Sequence, residues 1–353
     1  MRPIKLIMLV VLCALSNTLS ARWADQAAKE KTINKHYSVS SFDKLYIDNT
    51  YGEVHVNTWD KNEITVDVHI KVKAKNEAST QGLLDDIDIE DSRSSNKIMV
   101  TTSINKRHIT NENTDINIDY TINMPGKNGL DITNKFGAVY LDDFEGTLNL
   151  KLEYGKLKTK KLSGPEKDIN VKFGGVDITS IEYGNLDISY SKLTIDKAQT
   201  IDVKNSFEKT IINSVKQLKI KQRYGDLNIG SVEEISGSVE FANMDIDKVT
   251  KSSEMNLEYS SKASFGSVGA DVSLFKIDAG YSGVSCMFDN GANLAGDIDI
   301  SFGHFKNHSS NNSMSFEKEE TSEYSHEERY TGKIGAGAGK MRIKAKYGDV
   351  VFK

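Results

Sequence analysis

Phenylalanine or tyrosine recurs every seventeen residues through the middle of this chain, at Phe173, Tyr190, Phe207, Tyr224 and Phe241. Smaller apolar residues follow each ring three and five positions later: Val176/Ile178, Leu193/Ile195, Leu227/Ile229 and Met244/Ile246, with Thr210/Ile212 the one polar lapse. A unit this short cannot bury its own apolar side chains and must stack on its neighbours. It is far below the roughly forty residues of a propeller blade, and it lacks the leucine/asparagine consensus of leucine-rich repeats. Stacked coils of short parallel strands remain.

The aromatic positions extend in both directions, giving Phe136, Tyr154, Phe173, Tyr190, Phe207, Tyr224, Phe241, Tyr259, Tyr281, Phe302, Tyr330 and Tyr347. The expected architecture is all-β: a single-chain parallel β-solenoid (β-helix) over 129–353, with about 17–22 residues per coil. A right-handed coil is expected for parallel connections. The aromatic column is expected to form a structural ladder inside the core. The glycines after it (Gly137, Gly155, Gly174, Gly225, Gly303, Gly348) would let the backbone turn or adopt positive φ.

Residues 38–128 read differently. Leu45, Ile47, Val54 and Val56 flank Tyr51-Gly52, and Ile64, Val66, Val68, Ile70 and Val72 alternate with polar residues as in a half-buried strand. Asn76 or Ser79 is placed to cap a short helix carrying Leu83, Leu84 and Ile87. A strand from Ile116 to Met124 ends at Pro125, which cannot donate to a ladder. This segment is expected to be an antiparallel layer with one helix that closes the N-terminal end of the coil. Within the repeat, 306–329 is too polar and charged for a core coil and is expected to be a loop, after which Tyr330 resumes the register. The closing Tyr347 to Phe352 is expected to be a half coil paired with the one before it.

The first 21 residues have the form of a secretory signal peptide: Arg2 and Lys5, an apolar run from Leu6 to Leu15, then Ser16, Ser20 and Ala21. The run is half the length of a membrane span. Leu12 before Cys13 argues against a lipidated cysteine. Residues 22–37 are expected to be a loosely held polar leader. Cys286 is then the one cysteine left, so no internal disulfide forms, and it is expected to point inward as a small hydrophobe. A net charge of −5 with interspersed signs gives no footprint for nucleic acid.

Family likeness rests on Tyr51-Gly52-Glu53-Val54, the strand ending at Pro125, Phe136-Gly137-Ala138-Val139 and the closing Tyr347-Gly348-Asp349-Val350. These resemble a bacterial putative-adhesin family of secreted or envelope-associated β-solenoid proteins from Bacteroidetes-type bacteria. The resemblance covers about residues 40–353. It implies a fold and an envelope location and brings no catalytic motif.

Nor do the residues supply one. His326-Glu327-Glu328-Arg329-Tyr330 has tyrosine where H-E-x-x-H needs its second histidine, and His304, His308 and His326 lack a helix to gather them on a metal. Gly335 to Met341 lacks the spacing and the Ser/Thr of a phosphate loop, and no G-x-S-x-G occurs. Asp177, Asp226 and Asp245 fall between inward aliphatics and are expected to face solvent, while Asp187 and Asp299 lie elsewhere along the repeats. Expected is a non-enzymatic exported protein, located in the periplasm, on the outer membrane or outside the cell. It would bind a surface ligand (glycan or protein) or act as a scaffold, with no cofactor, metal or membrane span. A carbohydrate-active enzyme on a coil face and an envelope sensor partner are the alternatives.

Overall fold

Inward positions along Lys192–Ser206 show how one repeat is built. Leu193, Ile195, Ala198, Ile201, Val203 and Asn205 are buried. Steps of two are straight strand; the two steps of three mark bends, where a pair of adjacent residues faces out. The computed structural model describes residues 28–105, 114–165, 167–309, 313–320 and 326–353, so the signal-peptide reading and Cys13 lie outside the described residues.

Through the seventeen-residue repeats, each strand pairs in parallel with its counterpart in the next repeat. Gly175–Ser189, Lys192–Ser206, Thr210–Arg223 and Asp226–Glu240 are joined residue by residue at an offset of seventeen, as in Val176↔Leu193↔Thr210↔Leu227. Equivalent side chains therefore stand one strand spacing apart, about 4.8 Å. Full burial of each aliphatic in such a column is worth about 1.5–3 kcal/mol. A bulge between Val232 and Glu234 adds one residue in Asn243–Glu258, and the next coil gains a turn between Ala263–Val268 and Leu274–Gly280. These two insertions account for the lengthening aromatic spacing.

Among the described residues the regular structure is strand apart from one helix, and the strand pairing is mixed rather than purely parallel. At the N-terminal end Lys29–Ser38, Glu63–Lys73 and Asp115–Pro125 pair antiparallel, as do Ile87–Ser94 and Lys97–Ile104. Of the leader expected over 22–37, residues 22–27 lie outside the described residues; residues 29–38 are a strand with one partner among the described residues, and their sequence KEKTINKHYS supplies lysines that discourage pairing on the other side. The helix Glu77–Asp85 is capped by Asn76, whose side chain accepts from the Ser79 amide. It buries Leu83 and Leu84, while Ile87 begins the following strand.

Antiparallel pairing also appears at the other end. Glu327–Ile334 joins Leu294–Ser301 on one side and Met314–Lys318 on the other, so part of the polar insertion is strand instead of loop. Both ends share a device. Lys44–Thr50 lies between Lys97–Ile104 and Gly129–Lys135, and Gly339–Lys346 lies between Leu274–Gly280 and Leu294–Ser301. The closing Val350–Phe352 slots between Val284–Phe288 and Phe305–Asn307, so it pairs with two coils.

Lys167 stands in an inward column. Its neighbour there, Gly184, has no side chain to contest the space. Its ammonium donates to the Ser163 and Pro165 carbonyls at 2.7 and 2.6 Å. Burial pushes its pKa down from the usual lysine range, with nearby Glu182 opposing.

Candidate binding faces

The aromatic ladder is real in its stacking and is on the outside. Tyr51, Phe136, Tyr154, Phe173, Tyr190, Phe207, Phe241, Tyr259, Tyr281, Phe302 and Tyr347 are 37–51% exposed, and Tyr224 is half-buried. Neighbouring rings lie 4.4–5.4 Å apart, centroid to centroid, with planes within 1–21°. Every one of these residues has φ between 49° and 72°. The left-handed conformation turns the side chain out of the alternating inward series, which is why an aromatic at a regular position escapes the core. It costs an L-residue about 1–2 kcal/mol. Each stacked contact, shared between two rings and worth about 0.5–1.5 kcal/mol, offsets part of that cost.

Membership differs from expectation at both ends. Tyr51 starts the ladder, and Tyr347 sits between Tyr281 and Phe302 because its coil is inserted there. Tyr330 is absent from the ladder; it pairs antiparallel with Ile298 and packs against Phe305 at 5.0 Å. Positive φ thus belongs to the aromatic. The glycine after it answers a different need: a Cβ on Gly137 would stand 1.8 Å from the Gly52 carbonyl oxygen, and one on Gly174 1.7 Å from that of Gly155. Gly225, with φ of +77°, does meet the original expectation.

Buried amides two residues before certain rings hold these turns together. Asn134 donates to the Gly52 and Gly137 carbonyls at 3.1 and 3.0 Å. Gln222 donates to the Glu208 and Tyr224 carbonyls at 2.9 and 2.7 Å, and Asn205 donates to Thr210 Oγ1, which donates to Gln222 Oε1. Thr210, the lapse in the aliphatic column, is therefore part of a buried hydrogen-bonded network. The pattern was visible in Asn134-Lys135-Phe136, Asn205-Ser206-Phe207 and Gln222-Arg223-Tyr224, and sequence reasoning missed it.

Face-to-face stacking leaves the ladder only ring edges to offer, so it is no platform for a flat ligand. The coil sides present something else: outward columns of polar residues. On one side, Asp177 pairs with Lys156 at 2.6 Å, Asp142 with Lys160 at 2.7 Å and Asp245 with Lys262 at 2.8 Å, while Asp226 accepts from Asn243 at 3.1 Å. These aspartates face outward as expected. Here His55 stacks on Tyr140 at 4.5 Å. On a second side, Tyr183, Thr200, Gln217 and Glu234 form a column beside Asn185, Asp202, Lys219 and Ser236, and the two enclose a trough of about 520 Å³.

Near the C-terminal end a second trough gathers Asp299, Glu319, Glu327 and Glu328 around Arg329 and Lys344. Asp299 and Glu319 pair with Arg329 at 2.8 and 3.7 Å, and Glu328 with Lys318 at 2.9 Å. Hydrogen bonding to Asp299 raises the Arg329 pKa further. Burial of Glu328 works to raise its pKa, but hydrogen bonds from Lys318 and the Phe305 amide outweigh it and hold this carboxyl below the usual range, which makes it a poor general acid. The histidines are dispersed: His304 meets Glu328 at 3.4 Å and His326 packs on Phe302. Among the described residues, no group of three or more His, Cys, Asp or Glu could hold a metal. Cys286 is fully buried, and burial pushes its thiol pKa far up. Among the same residues no helix is long and apolar enough to cross a membrane.

No family model and no curated protein matches the chain. Among solved structures it is similar to a putative adhesin from Bacteroides fragilis, at 14% identity over 70% of this chain and 97% of that one, with a TM-score of 0.29. A putative adhesin from Parabacteroides merdae aligns over 92% of this chain and 96% of its own at 11% identity, TM-score 0.27. A protein described as a putative lipid binding protein, from Parabacteroides distasonis, aligns over 70% and 96% at 12% identity, TM-score 0.31. Such neighbours include the putative adhesins that the sequence resembles.

Proposed function

We propose that this chain is an exported, non-catalytic β-solenoid whose flat coil sides bind surface material of a cell or its envelope. The observation that carries the reading is the in-register stacking, which repeats polar side chains coil after coil on broad sides. A face of that kind offers many similar sites to an extended partner. The ladder, the close-packed glycines and the amide-clamped turns serve rigidity. The antiparallel layers at both ends serve as caps, because uncovered coil ends would template further pairing. The signal-peptide pattern at residues 1–21 supports export to the periplasm, outer membrane or exterior.

The test is direct binding of the purified protein to immobilised bacterial and host surface fractions. Saturable binding is expected. A protein that binds none of them, while deletion of its gene alters envelope integrity, is a scaffold instead.

A further inference from the structure

We propose that the trough beside Tyr183 is a binding site for a linear, uncharged oligosaccharide; this rests on the binding function proposed above and names its ligand class. Tyr183 is 49% exposed, and unlike the ladder rings it has no stacked ring among the described residues. Its neighbour in the next coil is Thr200, too short to cover a phenol. That leaves ring surface open to the C–H face of a sugar.

The rim continues from this ring as a row. Thr200 Oγ1 donates to Gln217 Oε1 at 3.1 Å, and Gln217 Nε2 donates to Glu234 Oε2 at 3.2 Å. A primary amide has two N–H groups and two carbonyl lone pairs, so this row engages half of what Gln217 offers. The remainder faces a ligand able to donate and accept at every step, which is what a chain of hydroxyl groups does. Successive positions repeat at one strand spacing along the axis, so an extended ligand meets a polar group, each of a different kind, at every step past the ring.

Charge selects among ligands. Asp202 pairs with Lys219 at 3.4 Å, and Glu254 at the far end pairs with Lys276 at 2.6 Å. The trough thus lacks the basic surplus that a uronic-acid polymer or a nucleic acid requires. A peptide adding as a strand needs an open sheet edge, and each strand here is already paired on both sides.

The experiment titrates the purified exported protein with linear neutral hexasaccharides of glucose, xylose and mannose, and with hexagalacturonate, by calorimetry. At least one neutral hexasaccharide is expected to bind. Tyr183→Ala should weaken it about tenfold, Gln217→Ala by a smaller factor, and Tyr183→Phe should retain it. Tyr140→Ala, on another side of the coil, should leave it unchanged. Unchanged circular dichroism establishes that Tyr183→Ala is folded. The proposal is overturned if only hexagalacturonate binds, if no neutral sugar binds, or if Tyr183→Ala binds as well as wild type. Retention of surface-fraction binding in any of those cases leaves the broader function standing and removes only this site; loss of both removes both.

Discussion

Rings from Tyr51 to Phe302 lie nearly parallel on the outside of the coil, whereas those inside its C-terminal third meet edge to face. Phe265, Phe275, Phe288, Phe352 and Phe305 form that inner chain, with interplanar angles of 68–82° and centroids 4.9–5.6 Å apart. The outer rings occupy one register position in successive coils, so their Cα–Cβ vectors are parallel and one strand spacing apart. Parallel stacking is the only arrangement open to them. No two touching inner rings share a register position, so they are free to take the edge-on geometry that the ring quadrupole favours. Periodicity therefore marks the turn, and the aromatics that fill the core are the irregular ones.

The largest test of that contrast is Phe275→Ala. Phe275 is fully buried, and its truncation should cost about 3–5 kcal/mol in urea unfolding. Cys286 lies between Phe265 and Phe352 in its column and reports on the same cluster. Its reaction with a thiol reagent, slow in the native protein, should accelerate in Phe275→Ala and stay unchanged when a ladder ring is truncated. Equal acceleration in both would erase the distinction between the two regions.

A smaller effect separates strain from packing. Tyr190→Ala loses two stacks yet keeps a left-handed alanine, whereas Tyr190→Gly loses the same stacks and relieves the backbone. The glycine variant should be the more stable of the two by about 1 kcal/mol. At Phe275, in ordinary strand, the order should reverse. If alanine were better than glycine at both sites, the left-handed turn would not carry the cost assigned to it.

The smallest effect concerns the wet rim of the ladder. Lys135 lies over the Phe136 and Tyr154 rings and 3.2 Å from Glu153. Lys135→Met should cost less than about 1 kcal/mol, and the difference should shrink in high salt. The Phe275→Ala deficit should not depend on salt, since its neighbours carry no charge.

Much of this was legible beforehand for a stated reason. Strand alternation places Val176 and Ile178 inward and Asp177 outward whatever the neighbours are, and the buried and exposed positions follow it. A helix cap at Asn76 or Ser79, which the structure resolves to Asn76, and Cys286 as a buried thiol were likewise local decisions. Tyr330 misled because seventeen residues separate it from Tyr347, and spacing carries no strand direction; an antiparallel partner removes it from the ladder. The trough at Tyr183 had no motif at all. Its residues, seventeen apart, are ordinary polar side chains until stacking sets them in a row.

The sequence by itself determined the repeat, its in/out alternation and the need for many coils, because these follow from the chain's own period and from burial. Only the tertiary structure decided which way the aromatic column points. That direction is set by one dihedral angle per coil, made affordable by rings in the coils above and below, and by a terminal coil inserted between two others. Neither a ring's stacking partner nor the coil that will enclose it is encoded within its own seventeen residues.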